Sequence, residues 1–296
     1  APPQGHFRWL HFNLAGPGTR RWLKNAAELP REIREMFLSP ETHQRAVVEG
    51  ESVGCVLHDF ERDFDVPDTE QIGALRIALT PSLVITARHH SLRSADIARR
   101  KLERGAVLAG PDQALDLLTG AIAENLSAIG RRLGARVLQL EEAFLEGHAP
   151  PGARDLIHIR RRLAQIHRVM SGMRGVLQRL ESDGELPEAL LQTVEKWVQR
   201  IHALDQDALG VLGQLRQLRE EIDMQATQRT NQNLYILSIV TALMLPATLV
   251  TGLFGMNTGG MPFSSDAHGT LLATAMAGGT AAATYLVLRC MGFMRR

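Results

Sequence analysis

The chain has 296 residues, a formal net charge of +1, 22% charged residues and 45% hydrophobic ones. That length accommodates one large domain or two smaller ones, and so small a net charge excludes a strong pull toward nucleic acid. With only two cysteines, Cys55 and Cys290, a disulfide framework is excluded and a reducing cytosolic face is favoured.

Charge is unevenly spread: the first part of the chain carries most of it, and the C-terminal part reads as membrane. Arg8, Arg20, Arg21 and Lys24 lie near the start without an apolar h-region, so no signal peptide is expected. The chain begins at Ala rather than Met, which leaves the natural start open. Residues 1–110 read as a mixed α/β domain. His6–Leu14 is a candidate strand, and Thr19–Leu29 and Arg31–Leu38 are candidate helices, the second ended by Ser39-Pro40. Ala46–Val48, Val53–Phe60, Gln71–Leu79 and Ser82–Ala87 are short β-branched or alternating runs bounded by Gly, Pro and Asp, as strands should be. Pro81 between the last two predicts a tight hairpin. His89-His90 is read as a surface or structural pair, because adjacent strand residues point to opposite faces and cannot easily share one ion.

The period becomes helical after Ser91, with a short helix over Leu92–Arg104 and a long-helix region over 111–233. Leu115, Leu118, Ile122, Leu126, Ile129, Leu133, Val137, Leu140 and Phe144 recur at three- and four-residue steps, up to the break at Gly147–Gly152. Leu156, Ile159, Leu163, Ile166, Met170, Met173, Leu177 and Leu180 form a second seam. Leu190, Val194, Trp197, Ile201, Leu204, Ala208, Val211, Leu215, Leu218 and Ile222 form a third. Three such seams predict long helices in a coiled-coil-like stalk, their Met and aromatic members serving as core. Arg160-Arg161-Arg162 is expected on a solvated face. No Pro or Gly separates Ile222 from Leu234, so the third helix is expected to run on from about Glu188 to Phe254, roughly 100 Å at 1.5 Å per residue. A lone helix of that length would not persist, so it must pack on neighbours in its own chain or in copies of itself.

Leu234–Phe254 carries no charge and is long enough to cross a bilayer core of about 30 Å. A loop over 255–269 follows, then a second span over 270–291, uncharged from Thr270 to Leu288, and a tail over 292–296. Pro246 is tolerated within the first span. The loop from Thr258 to Gly269 lacks Lys and Arg, whereas Arg229, Arg289, Arg295 and Arg296 flank the spans, so both termini are placed in the cytoplasm. The second span offers close-packing small residues at Ala275/Gly279 and Gly278/Ala282. The first carries a polar stripe: Thr227, Asn231, Leu234, Ser238, Thr241, Leu245 and Thr248. Its hydroxyls either bond back to their own helix or line a water-filled path. Two spans cannot enclose a pore, but several copies around an axis can.

Gly255-Met256-Asn257, at the end of the first of two C-terminal spans, resembles the defining motif of the CorA superfamily of divalent-cation channels and transporters. Thr248 falls where that family has a pore-facing hydroxyl. Thr80–Gly105, with Val84-Ile85-Thr86-Ala87-Arg88 and Leu92-Arg93, resembles its cytoplasmic domain. Gly259-Gly260-Met261-Pro262 is closer to the zinc-transporting, ZntB-like branch, and Pro262-Phe263-Ser264-Ser265 departs from the acidic loop of the magnesium branch. The resemblance implies an α+β membrane protein: an N-terminal cytoplasmic α/β domain, long stalk helices and a C-terminal two-helix transmembrane hairpin, assembled as a homopentameric funnel in a bacterial inner membrane. It also implies a pore gated by the cytoplasmic domain, with Asn257 as a ring at the outer mouth. Asn231, Leu234, Ser238, Thr241, Leu245 and Thr248 would line it, and Asp266 and His268 would stand at the mouth. Amide oxygens can hold a divalent ion's water shell without stripping it, and Gly255 would leave backbone carbonyls free to approach.

No enzyme constellation appears: there is no phosphate-binding Gly loop with Lys, no nucleophile elbow and no zinc-finger spacing. No resident cofactor and no protein metal-ligand set are assigned. The partners expected are copies of the chain, membrane lipid and the transported cation, with zinc ahead of magnesium or cobalt. A membrane-anchored coiled-coil scaffold is the alternative of another class; it would explain the seams and the hairpin but neither Asn257 nor the stripe. The stripe has no carboxylate for a proton relay, although the zinc branch implies proton-coupled uptake. Lacking Cys, His or carboxylate ligands of the usual zinc type, the stripe should pass hydrated or partly hydrated ions and discriminate poorly among Zn²⁺, Co²⁺, Ni²⁺ and Cd²⁺.

Overall fold

The computed structural model describes residues 7–62, 69–256 and 268–292. The chain divides into two compact units, Ala1–Arg219 and Glu220–Arg296. The first is built on a five-stranded sheet of β1 (Arg8–Asn13), β2 (Arg45–Glu49), β3 (Ser52–Phe60), β4 (Ile72–Thr80) and β5 (Leu83–Arg88). Each strand falls within a residue or two of its sequence expectation. Their spatial order is β1-β5-β4-β3-β2.

From β2 to β5 the sheet is an antiparallel meander. Gly50 and Glu51 turn the chain between the paired Glu49 and Ser52, with Gly50 at φ 58°, a left-handed conformation that glycine adopts without steric penalty. Pro81 and Ser82 make the expected hairpin between the paired Thr80 and Leu83. β1 closes the other edge parallel to β5, with Arg8 beside Leu83 and Asn13 beside Arg88.

Both faces of the sheet are covered, which is why β3, β4 and β5 read as nearly continuous apolar runs. On one face Val56, Ala78, Ile85 and Ala87 pack with Leu23 of α1 (Pro17–Asn25) and Ile33, Met36 and Phe37 of α2 (Arg31–Leu38). Gly54 lies on this face, where a Cβ would sit 3.0 Å from Met36 Cε and 3.1 Å from Ile33, so its lack of a side chain lets α2 approach closely. α1 starts two residues before the expected Thr19 and stops at Asn25, short of Leu29. Pro30 disfavours helix at the preceding residue, and a turn from Leu29 N–H to the Ala26 carbonyl, 3.3 Å, brings the buried Leu29 into the core.

On the other face Val53, Cys55, Leu57, Leu75, Ile77, Leu79 and Val84 share one core with the long helices. These are α4 (Pro111–Leu145), α5 (Ala153–Glu181) and the start of α6 (Glu188–Phe254), joined by the short α3 (Arg93–Glu103). Every member of the second seam is buried in α5. Gly110 lies between α3 and α4, and α4 belongs to the same core as the sheet. Burial at Cys55 pushes its thiol up to about 12, consistent with a role as a small core residue.

One expectation needs correction. Arg162 is only 3% exposed and its guanidinium lies 4.1 Å over the Phe60 ring, so the solvated face holds for Arg160 and Arg161 alone. Three residues after Ile159 and one before Leu163, it sits on the seam side of α5, where an aromatic face can stabilise a desolvated cation. His89-His90 is a surface pair, as expected, but for another reason: it lies in an exposed bend just past the end of β5, not on a strand.

The second unit comprises the rest of α6 and α7 (Gly269–Cys290). These two helices are long and apolar enough to cross a membrane. Pro246 lies inside α6 without ending it.

Candidate functional site

The apolar part of α6 has two contrasting faces. Ile239, Ala242, Leu243, Pro246, Ala247, Val250 and Phe254 recur every three or four residues and are partly covered. A corresponding seam in α7 runs through Ala273, Ala277, Thr280, Ala281 and Thr284. Asn231, Leu234, Ser238, Thr241, Leu245 and Thr248 all lie on the opposite, uncovered side of α6. The structure thus gathers the six predicted pore-lining residues on one helix face. An open concavity of about 760 Å³ takes in Thr241, Leu245, Thr248, Gly252 and Met256 but not Asn231, Leu234 or Ser238.

The threonine hydroxyls on this helix donate back to the turn before them. Thr227 bonds to the Asp223 carbonyl at 2.8 Å, Thr241 to Leu237 at 2.8 Å, and Thr248 to Met244 at 2.8 Å. The two readings of the stripe are therefore compatible. A hydroxyl has one proton and two lone pairs, so donating the proton to the helix leaves the oxygen as an acceptor on the uncovered face. A cation or its water shell requires such an acceptor.

At the end of α6, Gly255 N–H donates to the Thr251 carbonyl at 2.9 Å and Met256 N–H to Leu253 at 3.3 Å. A Cβ on Gly255 would lie 3.2 Å from that Thr251 oxygen, so glycine permits the tight closing turn. His268 is exposed immediately before α7, and its carbonyl accepts the Leu272 N–H at 3.0 Å. Asn257 and Asp266 lie outside the described residues. Among the described residues no group of three or more His, Cys, Asp or Glu could hold a metal ion.

The first part of α6 carries polar ties that the sequence reading did not single out. Asp116 Oδ1 on α4 accepts both Lys196 Nζ and Trp197 Nε1, each at 2.6 Å. Asp205, 1% exposed, lies 2.6 Å from His167 Nδ1 on α5 through its Oδ1. His202 Nδ1 accepts Arg174 Nη1 at 2.7 Å. The available signal was an acid beside Leu204 in the third seam and a histidine beside Ile166 in the second. Asp59 in the sheet accepts Ser94 N–H at 2.7 Å and Asn125 Nδ2 at 2.8 Å. Burial raises its carboxyl pKa against the pull of those donors.

A family model described as CorA-like Mg2+ transporter protein matches residues 4–289. The zinc transport protein ZntB of Yersinia pseudotuberculosis is 26% identical over 265 residues, covering 88% of this chain and 80% of that protein. Among solved structures, that of the full-length CmaX protein has a TM-score of 0.81 at 24% identity, covering 98% of this chain and 89% of the other. The CorA magnesium transporter from Methanocaldococcus jannaschii has a TM-score of 0.76 at 16% identity, covering 95% and 89%. At those identities the structural likenesses establish the fold.

Proposed function

We propose that this chain, which belongs to the CorA family, moves divalent cations across a bacterial inner membrane, with zinc as the principal cargo. One observation carries the site assignment: Gly255-Met256 closes α6 at the end of an apolar span whose uncovered face holds Thr241 and Thr248. Copies of the chain around an axis would turn that face inward and make a path of neutral oxygens from Asn231 to Thr248. Asn257 would ring the outer mouth, with Asp266 and His268 beside it. Neutral donors at this spacing suit an ion that keeps much of its hydration, because no set of thiolates, imidazoles or carboxylates replaces its water. Five copies is the number that the family resemblance implies.

Zinc is favoured by the naming of the curated relative and by Gly259-Gly260-Met261-Pro262 after the motif. Magnesium is the second reading, supported by the family description and by the fold shared with a magnesium transporter. Zinc flux into proteoliposomes, followed with a trapped zinc-sensitive dye, tests both. Asn257→Ala should cut the flux roughly tenfold, the loss expected when about 1.4 kcal/mol of stabilisation is removed from the passing ion. Excess Mg²⁺ should leave most zinc flux intact. An unchanged Asn257→Ala flux would overturn the pore reading, and complete suppression by Mg²⁺ that is itself carried would favour magnesium.

A further inference from the structure

A cavity of about 560 Å³ lies in the first unit among β1, β5 and α3, and none of its lining residues belongs to the transport path. Its size falls within the range of small-molecule sites. The wall is two-sided in character. Trp9, Leu75, Leu92, Ala95 and Leu118 supply an apolar surface, whereas Arg62, Arg88, Arg99 and Asp96 are the charged members of its described lining.

The polar side is held in place by a chain of bonds. Thr86 Oγ1 accepts Trp9 Nε1 at 2.9 Å and lies 2.8 Å from His11 Nδ1. Arg88 Nε donates to His11 Nε2 at 3.0 Å, which requires a lone pair there and puts the His11 proton on Nδ1. Desolvation and the Arg88 charge both lower the His11 pKa, so the ring stays neutral. Arg88 Nη1 also donates to Ser91 Oγ at 3.3 Å. Two of its five donors are thus used in fixing the side chain, and the planar fork keeps others for a ligand. Asp96 receives Arg62 at 2.9 Å, Arg99 at 3.1 Å and Arg100 at 3.0 Å, and Arg99 also reaches Glu103 at 3.4 Å. Among the described residues Arg88 bonds neutral groups, His11 and Ser91, and no carboxylate.

We propose that this cavity binds a small organic anion, a carboxylate or phosphate group carried on an apolar or aromatic body. The anionic group would sit at Arg88 and Arg99 and the body against Trp9 and Leu92. An inorganic anion would leave the apolar wall wet. A neutral apolar molecule would leave Arg88 without a counter-charge, and a metal cation would be repelled. Binding is independent of transport and needs no zinc.

The test is ligand-observed saturation-transfer NMR on the full chain in a nonionic detergent, in zinc-free buffer. The probes are phenyl phosphate, benzoate, benzyl alcohol and inorganic phosphate. Saturable binding of phenyl phosphate or benzoate is expected, and the stronger of the two identifies the head group. Benzyl alcohol and inorganic phosphate should bind at least about tenfold more weakly, since each lacks one half of the recognition. Arg88→Gln should weaken the better probe about tenfold, and Ala95→Phe should abolish binding by filling the cavity, both at an unchanged melting temperature. Should Arg88→Gln unfold the protein, Arg99→Gln at an exposed side chain provides the same reading. The proposal is overturned by an absence of saturable binding, by benzyl alcohol binding as well as the anions, or by unchanged affinity in the arginine variants.

Discussion

Asp96, 15% exposed, is bridged to Arg62, Arg99 and Arg100. Burial alone would raise its pKa, but the Arg99 hydrogen bond and the charges of Arg62 and Arg100 prevail and hold it below the usual carboxylate range. A carboxyl depressed in the folded state stabilises the fold above its unfolded pKa of about 4 and loses that stabilisation as pH falls through the folded value. Asp96→Asn should therefore lower stability by about 1–2 kcal/mol at pH 7, with the gap from wild type closing as pH falls below about 4. Thermal melting over that range checks it, and a gap that stays constant with pH would contradict it. Part of this cluster was legible in the sequence: Arg99 and Arg100 follow Asp96 by three and four residues, the spacing of neighbours on a helix. Arg62 and Arg88 were not, because they come from the ends of the sheet and meet Asp96 or His11 only through strand register. Arg162 was misread for a related reason. A run of three arginines looks solvated until the helix phase is fixed by what lies on its other side.

Elements were easier to read than contacts. The 3-4 seams of α4, α5 and α6 and the turn residue Pro81 are local signals, and they located the long helices and the β4–β5 hairpin. The ends of α1 were set by Pro17, Pro30 and the burial of Leu29, a tertiary demand that no local period expresses. The third seam also concealed its polar member. Asp205 is buried against α5 with His167 as its partner, and removing one member of such a pair leaves the other desolvated without compensation. Asp205→Ala should destabilise the protein by about 1–3 kcal/mol. In a double-mutant cycle with His167→Ala the two losses should not add, and additive losses would mean that the pair is not coupled.

At the level of the molecule, the α/β unit, the long helices and the two candidate spans agree with the architecture expected from Gly255-Met256-Asn257 and its setting, and the family match extends over nearly the whole chain. Spacing carried no information on copy number. The uncovered faces of α6 and α7 expose Leu234, Leu237, Leu245, Leu249, Leu271 and Leu286, and two spans alone cannot enclose a water-filled path. Native mass measurement of the detergent-solubilised protein should give five copies of the 32.6 kDa chain; a monomer or dimer would contradict the pentamer. The edge strand has a further consequence, for the order in which the fold is assembled. β2 to β5 follow one another in the chain and are joined by two two-residue turns and one connection of eleven residues, so they can pair locally, whereas His11 must find Thr86 across 75 positions. Loop-closure entropy makes that the costliest pairing in the sheet and puts it late in the sequence of events. The organic-anion cavity, which takes Trp9 and His11 from β1, would therefore mature only after the meander is already in place.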